Sequence, residues 1–139
     1  MNLFIALYGL LSYAVFLATF LYAIGFVGNL VVPKSVDVGL PFGAAGEPLV
    51  VSLLLDVLLL SVFAVQHSVM ARPAFKRWWT RYVPKPMERS TFVLFASAAL
   101  VLLFAQWRPL DATVWNFAGT TAGNALGIIS ALGWGLVLV

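Results

Sequence analysis

The residues able to do chemistry are few and closely grouped. The lone histidine, His67, lies in the stretch AVQHSVMARPAFKRWWTRYVPKPMERSTFVL, which begins at residue 64. Gln66 and His67 stand at one edge of a polar interval running to Ser90, Glu88 and Arg89 stand at the other, and Arg72 follows His67 closely. A histidine placed there can exchange a proton near neutral pH, ligate a metal or haem iron, or cap a helix end. Glu88 and Arg89 can form a surface pair of small energetic value or a polar mouth for a substrate. Asp56, inside SLLLDVLLL, is the other group that needs a reason. A carboxylate within an apolar helix has to be neutral, paired or turned to a wet cavity. Asp56 precedes His67 by about three helical turns and so shares a face with Ser52 and Phe63. Its expected partner, in the protonated form, is a hydroxyl of Ser12 or Tyr13 on the preceding apolar run.

The elements that must position these residues follow from composition. The chain is 63% hydrophobic and 9% charged, with a mean hydropathy of +1.02. A soluble chain of this size needs far more polar surface, so the class is integral membrane. The absence of cysteine excludes disulfides, thiolate nucleophiles and zinc–thiolate sites. A net charge of +3 beside apolar spans points to a membrane surface and not to nucleic acid.

Hydropathy predicts four spans, at about 3–27, 49–66, 91–107 and 121–139. The first has no basic n-region and is too long for a cleaved signal peptide. The first connection, GNLVVPKSVDVGLPFGAAGEPL, is broken by proline and glycine and reads as an ordered or re-entrant loop. The expected fold is all-α: a four-helix transmembrane bundle forming a single membrane domain over 1–139.

Arg72, Lys76, Arg77, Arg81, Lys85 and Arg89 lie in the middle connection, 67–90, against Lys34 and Arg108 in the other two. The positive-inside rule places that basic loop, and both termini, in the cytoplasm. Phe75, Trp78, Trp79 and Tyr82 recur at helical spacing, with Pro73 suited to a first turn. They predict an interfacial amphipathic helix between the second and third spans, rings toward the acyl boundary and cations toward anionic headgroups. Pro84 and Pro86 should end it, and Ser90 or Thr91 should cap the third span. Tyr8, Ser12, Thr19 and Tyr22 mark the packed face of the first span. Gly119, Gly123, Gly127, Ala131 and Gly135 form a row of small residues suited to close helix packing.

No soluble-enzyme motif is present: neither a dinucleotide or phosphate-binding glycine loop, nor HExxH, nor a Ser-His-Asp set. The blocks GFVGNLVVPKSVDVG, QHSVMARPAFKRWW and PKPMERSTFVLFAS together resemble the methanethiol S-methyltransferase family. These membrane proteins are related to NnrU-type proteins and, more distantly, to isoprenylcysteine carboxyl methyltransferases. The resemblance runs over nearly the whole chain. It implies S-adenosylmethionine as methyl donor and a small apolar thiol, methanethiol, as acceptor, giving dimethyl sulfide in a membrane, by expectation the bacterial inner membrane.

Under that resemblance the thiolate attacks the sulfonium methyl in line. His67 with Arg72 or Arg89 would favour the thiolate, and Glu88 completes the candidate set. The Arg-His-Pro-type cofactor segment of related methyltransferases has no counterpart here. The expectation is therefore an N-terminal fragment whose cofactor-binding residues lie beyond Val139. Two other readings stay open. One is a haem-binding protein of the NnrU and zeta-carotene isomerase group, with His67 as axial ligand and otherwise no metal. The other is a non-enzymatic assembly protein acting through the glycine row.

Overall fold

The computed structural model describes residues 3–39, 48–110, 112–113 and 115–139. The proline- and glycine-rich part of the first connection, 40–47, lies outside the described residues. The elements are α1 (Leu3–Gly28), α2 (Leu49–Ala71), α3 (Pro73–Trp79), α4 (Lys85–Gln106) and α5 (Thr121–Leu138). Four of them, α1, α2, α4 and α5, are long and apolar enough to cross a membrane. The described residues are all-helical with four candidate spans, as the hydropathy predicts, and a short helix, α3, lies between the second and third of them.

The helix ends differ from the predicted ones. α2 continues five residues past Gln66 and α4 begins six residues before Thr91, so much of the basic interval is helical. Hydropathy marks where a chain meets lipid, whereas the backbone ladder continues wherever side chains permit it. Pro84, the residue before α4, has extended dihedrals, and Pro86 occupies the first turn, where a missing N–H costs nothing. Neither Ser90 nor Thr91 caps a helix. The Thr91 hydroxyl donates to the Met87 carbonyl at 2.9 Å and meets the Tyr8 hydroxyl at 2.9 Å.

α4 is the central element, packed along α1 on one side and α2 on the other. The α1–α4 seam buries small and hydroxylated residues of α1, Ser12, Thr19 and Ala23, and α4 itself buries Ser97 and Ala99. Lipid supplies no hydrophobic drive between helices, so close approach of small side chains is what holds such a seam. Its buried hydroxyls are satisfied within their own helices. Ser12 donates to Tyr8, Thr19 to Val15 and Ser97 to Val93, all at 2.7–2.8 Å. The row Tyr8, Ser12, Thr19 and Tyr22 is thus a packed face, as its spacing predicts. At the far end Phe26 stacks on Phe104, centroids 4.8 Å apart, with Trp107 edge-on at 6.0 Å.

The turn after α1 is tight because Gly25 leaves room for it. Leu30 N–H donates to the Gly25 carbonyl at 2.9 Å. A Cβ on Gly25 would lie 2.7 Å from the Leu30 carbonyl oxygen and 2.6 Å from Val32. Asn29 takes up the left-handed conformation (φ 54°) that ends the helix, a role asparagine fills well.

α5 meets the other helices through Trp134, edge-on to Phe20 at 5.5 Å. Among the described residues the predicted glycine row does not form one packing stripe. Gly119 precedes the helix at φ 75°. Gly123 sits under the Phe117 carbonyl, and a Cβ on Gly127 or Gly135 would find no atom within 4 Å. Four-residue spacing aligns side chains only where the helix is continuous, and here it starts at Thr121.

Candidate functional site

The sequence-predicted site residues separate to opposite ends of the bundle. At the basic end, the last residue of α2, the short α3 and the first turns of α4 enclose a cleft of roughly 300 Å³ lined by Ala71, Lys76, Glu88, Arg89 and Phe92. Lys76 Nζ lies 3.7 Å from Glu88 Oε1, with the carboxylate the more sheltered partner. Arg89 shares the lining and adds a second cation. Glu88 and Arg89 are sequence neighbours, which on a helix point in different directions, so the carboxylate takes its ion pair from α3.

His67 stands beside this cleft on α2. Its ring lies 5.5 Å from Phe63 and 5.2 Å from Phe92, and Phe92 also lines the cleft. Histidine and cleft thus share an aromatic wall. Gln66 turns away, its amide donating to Met70 Sδ at 3.2 Å. Arg72 is exposed at the junction of α2 and α3 and is not among the cleft residues. Lys76 and Phe92 belong to the site and were not legible as such, because their proximity depends on how α3 folds back against α4. Only part of the aromatic stripe is helical: Phe75 lies 5.4 Å from Trp78 and 5.9 Å from Trp79, while Tyr82, beyond the end of α3, meets Trp78 edge-on at 5.6 Å. Trp79 anchors the stripe edge-on against Phe95 of α4 at 6.3 Å.

Asp56 lies near the other end. It is 3% exposed, and its Oδ1 accepts the backbone N–H of Arg108 at 2.8 Å. The predicted hydroxyl partners are not used: Tyr13 faces outward and Ser12 serves its own helix. The reason is register. Asp56 sits two turns into α2, level with the point where α4 stops and exposes an N–H outside the helical ladder. Ser52 is buried with Asp56, while His67 is exposed, so the shared face is covered at one end only.

Lys34 completes this second cluster. Its Nζ donates to the Ala105 carbonyl at 2.6 Å, near the end of α4. Tyr22 donates to the Lys34 carbonyl at 2.9 Å and Trp107 Nε1 donates to the Val36 carbonyl at 3.0 Å. Burial pushes the Lys34 ammonium pKa down, the Arg108 charge adds to that, and the Asp56 charge opposes it. Loop residues 34–36 are therefore clamped across the ends of α1 and α4. The cation meets a free helix carbonyl, the favourable arrangement at a C-terminus.

Among the described residues no group of three or more His, Cys, Asp or Glu side chains converges as a metal site.

Comparison with known proteins decides the family. The chain is 53% identical over 136 residues to the methanethiol S-methyltransferase of Crocosphaera subtropica, covering 98% of this chain and 51% of that protein. It is 54% identical over 133 residues to methanethiol S-methyltransferase 2 of Bradyrhizobium diazoefficiens, covering 96% and 49%. With the enzyme of Mycobacterium tuberculosis the identity is 52% over 132 residues, covering 95% and 52%. By its sequence this chain belongs to the methanethiol S-methyltransferase family. It spans about half the length of the curated relatives it matches. No protein-family model matches it, and no solved structure is significantly similar. Membership of a methyltransferase family implies a methyl donor.

Proposed function

We propose that the chain serves in methyl transfer from S-adenosylmethionine to methanethiol, giving dimethyl sulfide. The observation that carries this reading is identity above 50%, along almost the whole chain, to proteins named for that acceptor. The basic cleft is the natural place for the polar chemistry. Lys76 suits the carboxylate of the donor's amino-acid end, and Glu88 suits its ammonium. The adenosyl end finds no lining among those groups.

S-adenosylmethionine supplies an electrophilic methyl on a sulfonium. Transfer of that methyl to the acceptor sulfur would return the electron pair of the broken C–S bond to the donor sulfur and release S-adenosylhomocysteine. The thiol proton passes to His67, whose ring is held by Phe63 and Phe92 beside the cleft, and the Arg89 charge stabilises the thiolate.

This assignment is tested by headspace measurement of dimethyl sulfide from membranes carrying the native gene product, supplied with methanethiol and S-adenosylmethionine. His67→Ala is expected to lower the rate about 100-fold, as loss of a general base does. Arg89→Met is expected to lower it too, with partial recovery in Arg89→Lys. Unaltered rates in both His67→Ala and Arg89→Met would remove these residues from the reaction, and absence of dimethyl sulfide would remove the acceptor.

The same reading orients the chain with the basic end and the N-terminus of α1 in the cytoplasm of a bacterial cell, in the inner membrane. Arg77, Arg81 and Lys85 then meet anionic headgroups, while Trp78 and Tyr82, the latter 71% exposed, sit at the acyl boundary. Because the chain has no cysteine, single cysteines report this cleanly. In intact cells an impermeant maleimide should label Val38→Cys and spare Arg81→Cys; the reverse pattern would invert the orientation.

A further inference from the structure

The cleft at the basic end contains a group that the charge chemistry above leaves unused. Lys76, Glu88 and Arg89 line it with charge, Ala71 is small, and Phe92 brings an aromatic ring. Glu88 and Phe92 stand four positions apart on α4, so they share a face, with Phe92 about 6 Å further along the axis. Phe92 is half-buried, and its ring centroid lies 5.2 Å from that of His67. The order through the site is therefore the Lys76–Glu88 ion pair, then an aromatic ring, then the histidine.

The donor of the proposed reaction carries a carboxylate, an ammonium and a sulfonium. Lys76 and Glu88 match the first two, which leaves the cationic sulfur to be met. Among the described lining residues Glu88 is the only acid, and its carboxylate is already shared with Lys76 at 3.7 Å. Arg89 repels a sulfonium. The negative face of an aromatic ring is the remaining partner, and it attracts a cation without carrying a formal charge. The spacing agrees, because the sulfonium stands two methylene groups beyond the amino-acid carbon, a reach on the order of the roughly 5 Å rise of one helical turn.

We propose, resting on the methyl-transfer reading, that Phe92 positions the donor by cation–π contact with its sulfonium, and so prefers the methylated donor to its neutral thioether product. The ring sets the sulfur between the Lys76–Glu88 pair and His67, on the side where the acceptor thiol loses its proton. The product has no charge for the ring to hold, so the contact that favours donor binding does not retain product.

The test is equilibrium binding of S-adenosylmethionine and S-adenosylhomocysteine, which differ by one methyl and one charge, to membranes carrying the native gene product. Phe92→Leu keeps apolar volume and removes the ring. It is expected to weaken S-adenosylmethionine about tenfold and to leave S-adenosylhomocysteine within about twofold, whereas Phe92→Tyr should keep both affinities. A ring-fluorinated phenylalanine introduced at position 92 keeps the shape and drains the π face. It should weaken the donor alone, and that measurement decides even if Phe92→Leu fails to fold. Equal loss for both ligands, or loss for neither, would assign Phe92 to packing and overturn the proposal. Parent membranes that bind no S-adenosylmethionine would bring down the methyl-transfer reading and this contact with it. Parent membranes that form dimethyl sulfide, with the fluorinated ring binding the donor undiminished, would bring down the contact alone.

Discussion

Phe26→Ala is expected to cost about 3 kcal/mol of stability, the usual scale for emptying a buried aromatic site. Phe26 is 3% exposed and touches the Phe104 and Trp107 rings. The reasoning differs from that for a soluble core. Moving phenyl carbon from lipid into protein gains little from the hydrophobic effect, because lipid is itself apolar. What Phe26 contributes is close contact with rigid neighbours, and truncation leaves a cavity that α1 and α4 cannot both close. The control is Leu54→Ala, on a lipid-facing position of α2, where the lost side chain is replaced by lipid. Reversible unfolding in mixed micelles, followed by helical signal, should show a large midpoint shift for Phe26→Ala and almost none for Leu54→Ala. Equal shifts would mean that this aromatic cluster is not a packed core.

Asp56→Ala is expected to cost about 2–3 kcal/mol, because it strips a buried N–H of its acceptor and two cations of their nearby carboxylate. Arg108 N–H loses its 2.8 Å bond, and Lys34, already held down in pKa by burial and by Arg108, loses the charge that opposes both. Asp56→Asn keeps an acceptor oxygen but not the charge, so it should fall between Ala and the parent chain. The same micelle unfolding measures all three. An Asp56→Ala chain as stable as the parent would show that the Arg108 contact contributes nothing.

These two sites also show how far the sequence could be read. Tyr8, Ser12, Thr19 and Tyr22 were legible as a packed face because a helix repeats every 3.6 residues and hydroxyls in an apolar run have to point at protein. Asp56 was legible as a buried carboxylate for the same reason, yet its partner was not. The Arg108 N–H becomes available only because α4 stops at that level, and a neighbouring helix's stopping point cannot be deduced from the apolar run containing Asp56. His67, Glu88 and Arg89 were legible as one end of the molecule from the charge bias alone. That Lys76 turns inward to Glu88 while Arg72 stays outside depends on a seven-residue helix folding back against α4.

By itself the sequence determined the four candidate spans, the short helix between the second and third, and the family. These rest on run length, helical period and residue-by-residue likeness, all properties along the chain. Only the tertiary structure decided which helix is central, which charges are buried together and which face of α5 stays open. Those outcomes depend on contacts between residues 50 or more positions apart, as with Asp56 and Arg108 or Lys34 and Ala105. No local pattern encodes such contacts, because each element satisfies its own backbone before it meets the others.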